Sequence, residues 1–383
     1  MEKPQSELGT LFYQGYHKLR YQLKKVLFET HHLYYWPNFM PIVEELKNRG
    51  GYTIHASMPR RSSHVQQAVL SQACFDMEIV FVKADSERDR TKKIIREAYD
   101  VIIVGNVGQL NQIILPDKLA VMVYHGIGLK QSYYRDIDDR INIRAVESVE
   151  RLHELKEQGH NNLELTGFTK LDRLFTITED ETKFIKQNLN LNTDKKTILY
   201  APSFYPTSIE KLCPQLSVLC GDHNIIIKLH GFSWEQKRFK YQSIMCTELA
   251  EKYDSIILLP NKAFDILPYY KIADVLISDI SSTLFEFLPL NKPIIQAECF
   301  TLRLKHRIFR HRFFKKMDMK RMQNIDFAYK IVDPDDVISR VQFSLEFPEE
   351  MSNLRQRAHG EYLYKSDGKA SARLVDAIED NLK

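Results

Sequence analysis

Two histidines occupy matching positions in this chain. His125 closes the apolar run AVMVY and opens the turn Gly126-Ile127-Gly128. His230 closes IIIKL and is followed by Gly231, with Lys228 two residues before it. An apolar run that ends in His-Gly places an imidazole at the carboxyl end of a strand, where glycine lets a ligand approach the backbone. An imidazole titrating near about 6.5 suits the removal of a proton from a hydroxyl, and when charged it neutralises phosphate oxygens. A packed structural histidine beside a tight turn is the plainer account of either. Lys130, Tyr133, Arg135 and Asp136 follow His125 and would bring cations and hydroxyls to the same place. The pair His31-His32 stands before Pro37 and either meets a substrate or caps a turn.

A third constellation lies in ADVLISDISSTLFEFLPLNKPIIQ, Ala273–Gln296. An apolar strand ends in Ser278-Asp279, and Ser281, Ser282 and Thr283 then open a segment with helical spacing. Backbone N–H groups at such a start, joined by hydroxyls, form an anion site. An ordinary N-cap uses the same residues and binds nothing. Glu286 either accepts from a ribose hydroxyl or is a solvent-facing or core-capping glutamate.

The elements that must position these residues alternate along the chain. Strand signals at 26–28, 52–56, 78–82, 101–104 and 119–124 are separated by helical patterns at 39–49, 64–73 and 88–98. Apolar runs without alternation imply strands covered on both faces, hence parallel sheets with helical crossovers. Around 175–196 the composition turns polar. Strands then resume at 197–200, 225–229, 255–259 and 275–277, with helices near 209–219 and 235–252. At 383 residues two domains are expected. The division is a basic amphipathic segment 1–25, a Rossmann-like acceptor-side domain 26–175, a linker 176–196, a donor-binding Rossmann-like domain 197–369, and a helix 370–383 returning to the first domain. Two doubly wound α/β domains facing a cleft describe the GT-B glycosyltransferase architecture.

Composition narrows the function. Net charge is +4, from 54 basic and 50 acidic residues, too mild to call for nucleic acid. The five cysteines show no metal-ligand spacing, so they read as small buried hydrophobes in a reducing compartment and no metal site is expected. There is no run of about 18 apolar residues and no signal-peptide core in the first residues, so a cytoplasmic location is expected. A glycine pattern for dinucleotides and a Walker lysine are also missing. Two stretches suit an anionic lipid surface or a phosphate-rich substrate. One is 11–28; the other is RLKHRIFRHRFFKKMDMKR at 303–321, in which Arg307, Arg310, Arg312, Lys315 and Lys316 interleave with phenylalanines. A solvated basic face is the alternative.

Together YHGIGLKQSYYRD, LYAPSF, IIIKLHG, ADVLISDISSTLFEFLPLNKPII and DGKASARLVDAI resemble, in order and spacing, the CDP-glycerol glycerophosphotransferase family. The resemblance runs from about residue 121 to the C-terminus. It implies a GT-B fold working peripherally at the inner face of the membrane. It further implies a CDP-activated polyol donor, a lipid-linked glycan or polyol-phosphate acceptor, and teichoic-acid-like or capsular polymer synthesis. No cofactor is implied. His125 then resembles the family's base within its His-Gly motif, beside Gly126, and His230 the second essential histidine. Lys228, Ser278, Asp279, Ser281, Ser282, Thr283 and Glu286 would surround the donor, and Gly126, Lys130 and Arg135 the acceptor or its phosphate. Tyr124, Ile127, Gly231, Ile280 and Glu286 depart from the usual Trp, Thr, Pro, Tyr and Asp, which bears on the substrate more than on the reaction. CDP-ribitol transfer, sugar transfer on the same fold and a noncatalytic membrane scaffold are the competing functions.

Overall fold

The structure, a computed structural model, describes residues 23–129, 138–309, 311, 314–315 and 317–383. Lys130, Arg135, Arg310, Arg312 and Lys316, and the N-terminal segment as far as residue 22, lie outside the described residues.

Two all-parallel sheets carry the chain. The first holds β1 (Lys24–Glu29), β2 (Tyr52–Ser57), β3 (Val80–Phe81), β4 (Val101–Val104), β5 (Leu119–Val123), β6 (Ile143–Val146) and β7 (Leu163–Leu165), in the order β3-β2-β1-β4-β5-β6-β7. The second holds β8 (Lys196–Tyr200), β9 (His223–Ile227), β10 (Ile256–Leu258), β11 (Val275–Ser278), β12 (Ile294–Ala297) and β13 (Tyr329–Ile331), in the order β10-β9-β8-β11-β12-β13. The central strands VIIV and LAVMV are buried at every residue, as strands covered by helices on both faces must be. Strand order reverses between β1 and β4, and again between β8 and β11. Ligands of open α/β sheets bind beyond the strand ends at such reversals.

Several elements differ from the sequence reading. The strand expected at 78–82 is the two-residue edge strand β3, preceded by Glu78 in a left-handed conformation. Beyond β5 the first sheet continues through β6 and β7 around the helix Val149–Glu157. Strand β6 carries a buried arginine, Arg144, and so lacks a continuous apolar signal. The helix expected over 209–219 stops at Leu212; Pro214, which cannot donate to the preceding turn, starts a 3-10 turn instead. The helix expected over 235–252 is two, Gly231–Glu235 and Lys240–Lys252. Polar residues 176–196 contain the helix Glu179–Asn188, capped by Thr178, whose hydroxyl accepts from the Glu181 N–H at 3.1 Å. Among the described residues no helix is long and apolar enough to cross a membrane.

The last helix, Ala370–Asn381, closes the first layer. Leu374, Val375 and Ile378 are fully buried in the cluster that contains Val26, Phe28 and Phe39. At its start the Asp172 carboxylate accepts from the backbone N–H groups of Ala370 (3.0 Å) and Ser371 (2.7 Å), a cap supplied from elsewhere in the chain. Arg49, at the end of the helix Trp36–Arg49, pairs with Asp376 and Glu379 at 2.8 and 2.9 Å. Leu374→Ala removes a wholly buried side chain and should cost about 2–5 kcal/mol. Urea denaturation would show it, and an unchanged midpoint would mean that this helix does not contribute to the first core.

Candidate functional site

A cavity of about 420 Å³ lies where the strand ends of the two sheets face each other, within the usual size of ligand sites. Its first wall comes from residues following β1, β4 and β5: Tyr34 and Tyr35, Gly105 and Asn106, and Tyr124 with His125. Its second wall comes from residues following β8, β9 and β11: Ser203 and Phe204, Lys228 with His230, and Ser281 to Thr283. The two histidines come from non-equivalent strands, β5 on the β4 side of the reversal in the first sheet and β9 on the opposite side of the reversal in the second, yet both line one space.

Aromatic rings hold them there. Tyr34 lies 5.2 Å from the His125 ring and 5.1 Å from the His230 ring, so the imidazoles are no farther apart than the sum of those separations. Tyr35 meets His125 edge-on at 4.4 Å. Phe204 and Phe232 flank His230 at 4.7 and 5.0 Å. The Asn106 amide donates to the Tyr35 hydroxyl at 2.6 Å. A Cβ at Gly105 would come within 2.8 Å of the Tyr35 ring, and one at Gly108 within 1.9 Å of His31 Nε2. This turn after β4 therefore requires glycine for the close approach of those rings. His32 stacks on Tyr34 at 5.2 Å, and burial with its neighbours His31 and Arg61 pushes it down to about 4. It is a neutral packing ring at physiological pH.

The imidazole of His230 has a defined tautomer. Its Nδ1 accepts from the Phe232 N–H at 3.1 Å, so the neutral ring carries its proton on Nε2 and is a donor there. Lys228 lines the same wall, half-buried, with its ammonium on the Leu229 carbonyl at 3.1 Å. Burial, reinforced by nearby Lys170 and opposed by Asp265, pushes it down to about 8.

The serine loop is arranged differently from the sequence reading. The segment after Ser282 is a single turn, Thr283–Glu286, followed by the 3-10 turn Leu288–Leu290, so no long helix aims its dipole at the cavity. The Ser281 N–H donates to the Asp279 carbonyl at 3.0 Å. Ser281, Ser282, Thr283 and Glu286 line the cavity, but Ser278 and Asp279 do not. Ser278 is buried, its hydroxyl 2.6 Å from the Ala201 carbonyl and 2.7 Å from Thr283 Oγ1. Asp279 is buried and accepts from the N–H groups of Ser203 (2.7 Å) and Ser208 (2.9 Å). Both side chains therefore shape the loop and make no cavity surface. Glu286 is almost fully buried. Its Oε2 accepts from Lys170 Nζ at 2.6 Å and the Tyr270 hydroxyl at 3.1 Å, and its Oε1 from the Ser282 hydroxyl at 2.7 Å.

Ile127 and Leu129 account for part of the His125 turn's unusual sequence. Both are buried in a cluster with Ile280, Phe285 and Met317 from the second half. At Gly231 a Cβ would meet nothing closer than Asn261 Oδ1, at 3.8 Å, so crowding does not demand the glycine. Sequence reasoning missed Tyr34, Tyr35, Asn106, Lys170, Phe204 and Phe232. The run VIIVGNVG, β4 and the turn that follows it, was the available signal, a strand ending in glycines like the two His-Gly turns. Arg307 and Lys315 are exposed and stand apart from the cavity. Among the described residues no three His, Cys, Asp or Glu side chains gather as a metal site.

Comparison with known proteins supplies the relatives. Residues 144–380 match the model of the CDP-Glycerol:Poly(glycerophosphate) glycerophosphotransferase family. The teichoic acid poly(glycerol phosphate) polymerase of Bacillus spizizenii is 33% identical over 143 residues, covering 34% of this chain and 33% of that protein. The teichoic acid glycerol-phosphate primase of the same organism is 27% identical over 221 residues, covering 51% of this chain and 55% of the primase. The chain thus spans about a third of the polymerase and about half of the primase. The structure of the wall teichoic acid polymerase TagF superposes with a TM-score of 0.67 at 16% identity, over 94% of this chain and 89% of that one. A putative UDP-N-acetylglucosamine 2-epimerase from Listeria monocytogenes gives 0.60 at 15% identity, over 94% and 96%. At these identities the likeness establishes the fold, two Rossmann-like domains in the GT-B arrangement.

The depressed Lys228 gives this wall of the cavity a pH-dependent charge. Its charge is present below about 8 and is lost as pH rises through that value. Inorganic pyrophosphate, titrated by calorimetry, should bind progressively more weakly between about pH 7 and pH 9, and Lys228→Arg should flatten the decline. The same decline in both proteins would remove Lys228 as the cause.

Proposed function

The chain belongs to the CDP-glycerol glycerophosphotransferase family, and from that premise we propose that it transfers a polyol phosphate, glycerol phosphate in the first instance, from a CDP-polyol to a hydroxyl of a lipid-linked or polymeric acceptor. The observation that carries this reading is the pair of imidazoles facing one cavity across Tyr34, with Lys228 beside the second. A phosphoryl transfer of this kind asks for positioning, charge neutralisation and somewhere for the nucleophile's proton to go.

The two histidines divide that work. The acceptor oxygen forms a bond to the β-phosphorus bearing the polyol, the bond from that phosphorus to the bridging oxygen breaks, and CMP leaves with the bridging oxygen. His125, on the first wall, takes the acceptor proton. His230 has Nδ1 engaged by the Phe232 N–H, so its neutral ring offers Nε2–H as a donor to a phosphoryl oxygen and not a lone pair to a hydroxyl. Lys228 neutralises the diphosphate, and Ser281, Ser282 and Thr283 edge the same wall. Glu286 is held by Lys170, Tyr270 and Ser282, so it supports this wall and meets a ribose only by exchanging one of those partners. Teichoic-acid-like polymer synthesis at the inner membrane face is the setting that fits these substrates.

CMP release from CDP-glycerol in the presence of acceptor tests the division. His125→Ala should lower turnover by about 10²–10⁴-fold, with donor affinity and thermal unfolding nearly unchanged. His230→Ala should weaken donor binding as well as turnover. Near-normal turnover in His125→Ala refutes the base assignment. Turnover of a ribitol or sugar nucleotide in place of CDP-glycerol keeps the fold and replaces the substrate.

The short helix Leu304–Ile308 suits the membrane side of this setting. Leu304 and Ile308 are 71% and 64% exposed, one helical turn apart; Arg307 in the same helix and Lys315 farther along the chain are exposed too. Exposed apolar tips with exposed cations in the same stretch of chain fit an anionic bilayer surface. Replacing Leu304 and Ile308 with Ser, and Arg307 and Lys315 with Gln, should reduce binding to anionic liposomes severalfold and leave CDP-glycerol affinity intact. Equal liposome binding would count against this face.

A further inference from the structure

Arg303 lies on the outer flank of the second wall, with its guanidinium over two rings. It is 4.2 Å from the centre of Tyr205 and 4.8 Å from that of Phe239. Its backbone N–H donates to the Tyr205 hydroxyl at 3.2 Å, and that hydroxyl lies 2.5 Å from His306 Nδ1. The rings lead to the cavity: Phe239 contacts Phe204 at 5.1 Å, and Phe204 contacts His230 at 4.7 Å.

The charge surroundings of Arg303 are unusual for a half-buried arginine. Among the described residues no carboxylate pairs with it. Burial first, and then a second cation, Arg238, depress its basicity; only the Tyr205 and Tyr241 hydroxyls favour the charge. The carboxylate in this patch, Glu210, accepts from the Tyr241 hydroxyl. Arg238 is exposed and likewise has no acidic partner among the described residues. Half-buried cations are ordinarily paired, because removing the charge from water is costly. Here stacking fixes the planar group, leaves its forked N–H donors to a visitor, and sets a second guanidinium nearby. That arrangement matches the bidentate recognition of phosphate.

We propose that Arg303, with Arg238, is a phosphate-binding subsite for the acceptor, engaging a phosphodiester of a polyol-phosphate chain whose terminal hydroxyl reaches the cavity past Phe204. This rests on the transferase reading and deepens it: the acceptor carries phosphate close behind the hydroxyl that reacts. The subsite acts outside the donor's own diphosphate contacts and adds affinity that falls with salt.

Calorimetry with a synthetic glycerol-phosphate trimer, in the absence of donor, tests it on the full chain. The native protein should bind the trimer, with affinity falling as salt is added. Arg303→Ala should lose about tenfold or more, the size of a charge-assisted pair, Arg238→Ala less, and Arg303→Lys should recover part of the loss; CDP-glycerol affinity should hold in all three. In turnover, KM for a phosphate-bearing acceptor should rise more than kcat falls. Trimer affinity unchanged in folded Arg303→Ala and Arg238→Ala overturns the proposal. So does a loss confined to CDP-glycerol, which would give the arginines to the donor, or one confined to anionic vesicles, which would give them to lipid headgroups. Absence of CMP release by the native protein would refute the transferase reading, and the trimer titration would still decide the arginines.

Discussion

The second wall of the cavity hangs on one buried carboxylate. Asp279, at the end of β11, reaches across to the chain leaving β8 and accepts from the N–H groups of Ser203 and Ser208 and from the Ser208 hydroxyl. Burial pushes it up to about 6, and three donors hold the ionised form against that cost. The residues between its two backbone contacts are the ones that matter around the cavity. Phe204 meets His230, Tyr205 lies under Arg303, and Thr207 bridges to Thr301. Removing the carboxylate would leave two N–H groups buried without partners, each at a cost of about 1–3 kcal/mol, and would free the loop that places both rings.

Charge across the cavity follows the same economy. Glu286, the carboxylate nearest the serine turn, is neutralised by Lys170. Lys228 on the same wall has no carboxylate hydrogen-bonded to it among the described residues, its ammonium resting on the Leu229 carbonyl. Arginines are kept for the flank, where Arg303 is held by stacking.

Legibility differed between the two walls. Both His-Gly turns were visible because an apolar run ending in glycine has a position in a parallel sheet, and strands such as VIIV and LAVMV are buried on both faces as their runs imply. Strands β6 and β7 were not visible, since one contains buried Arg144 and the other is three residues long. The helix over 235–252 was read as continuous because periodicity does not reveal the break between Glu235 and Lys240. In the site, Ser278 and Asp279 were correctly placed at a strand end, but nothing in their spacing says that both side chains turn inward. Tyr34 and Tyr35 were overlooked because an aromatic run after a strand resembles core. Their role depends on Gly105, Asn106 and His125, which lie 70 or more positions away.

The seam between the two halves is unequal along its length. On one side Ile127, Leu129, Phe168 and Leu171 are buried in a single apolar cluster with Ile280 and Phe285. Arg173–Asp265 and Lys170–Glu286 add ion pairs there, and Arg321 reaches Glu150 and the Gly128 carbonyl. On the other side Gln66 donates to Glu235, and His32 meets Phe232 edge-on. Separating the first side exposes a hydrocarbon surface to water, whereas separating the second exchanges a hydrogen bond and the ring contacts of His32 and Tyr34 with Phe232 and His230 for solvent. The two edges are thus held by different forces, hydrocarbon and ion pairs at one and polar and ring contacts at the other, and the second edge adjoins His230 through Phe232.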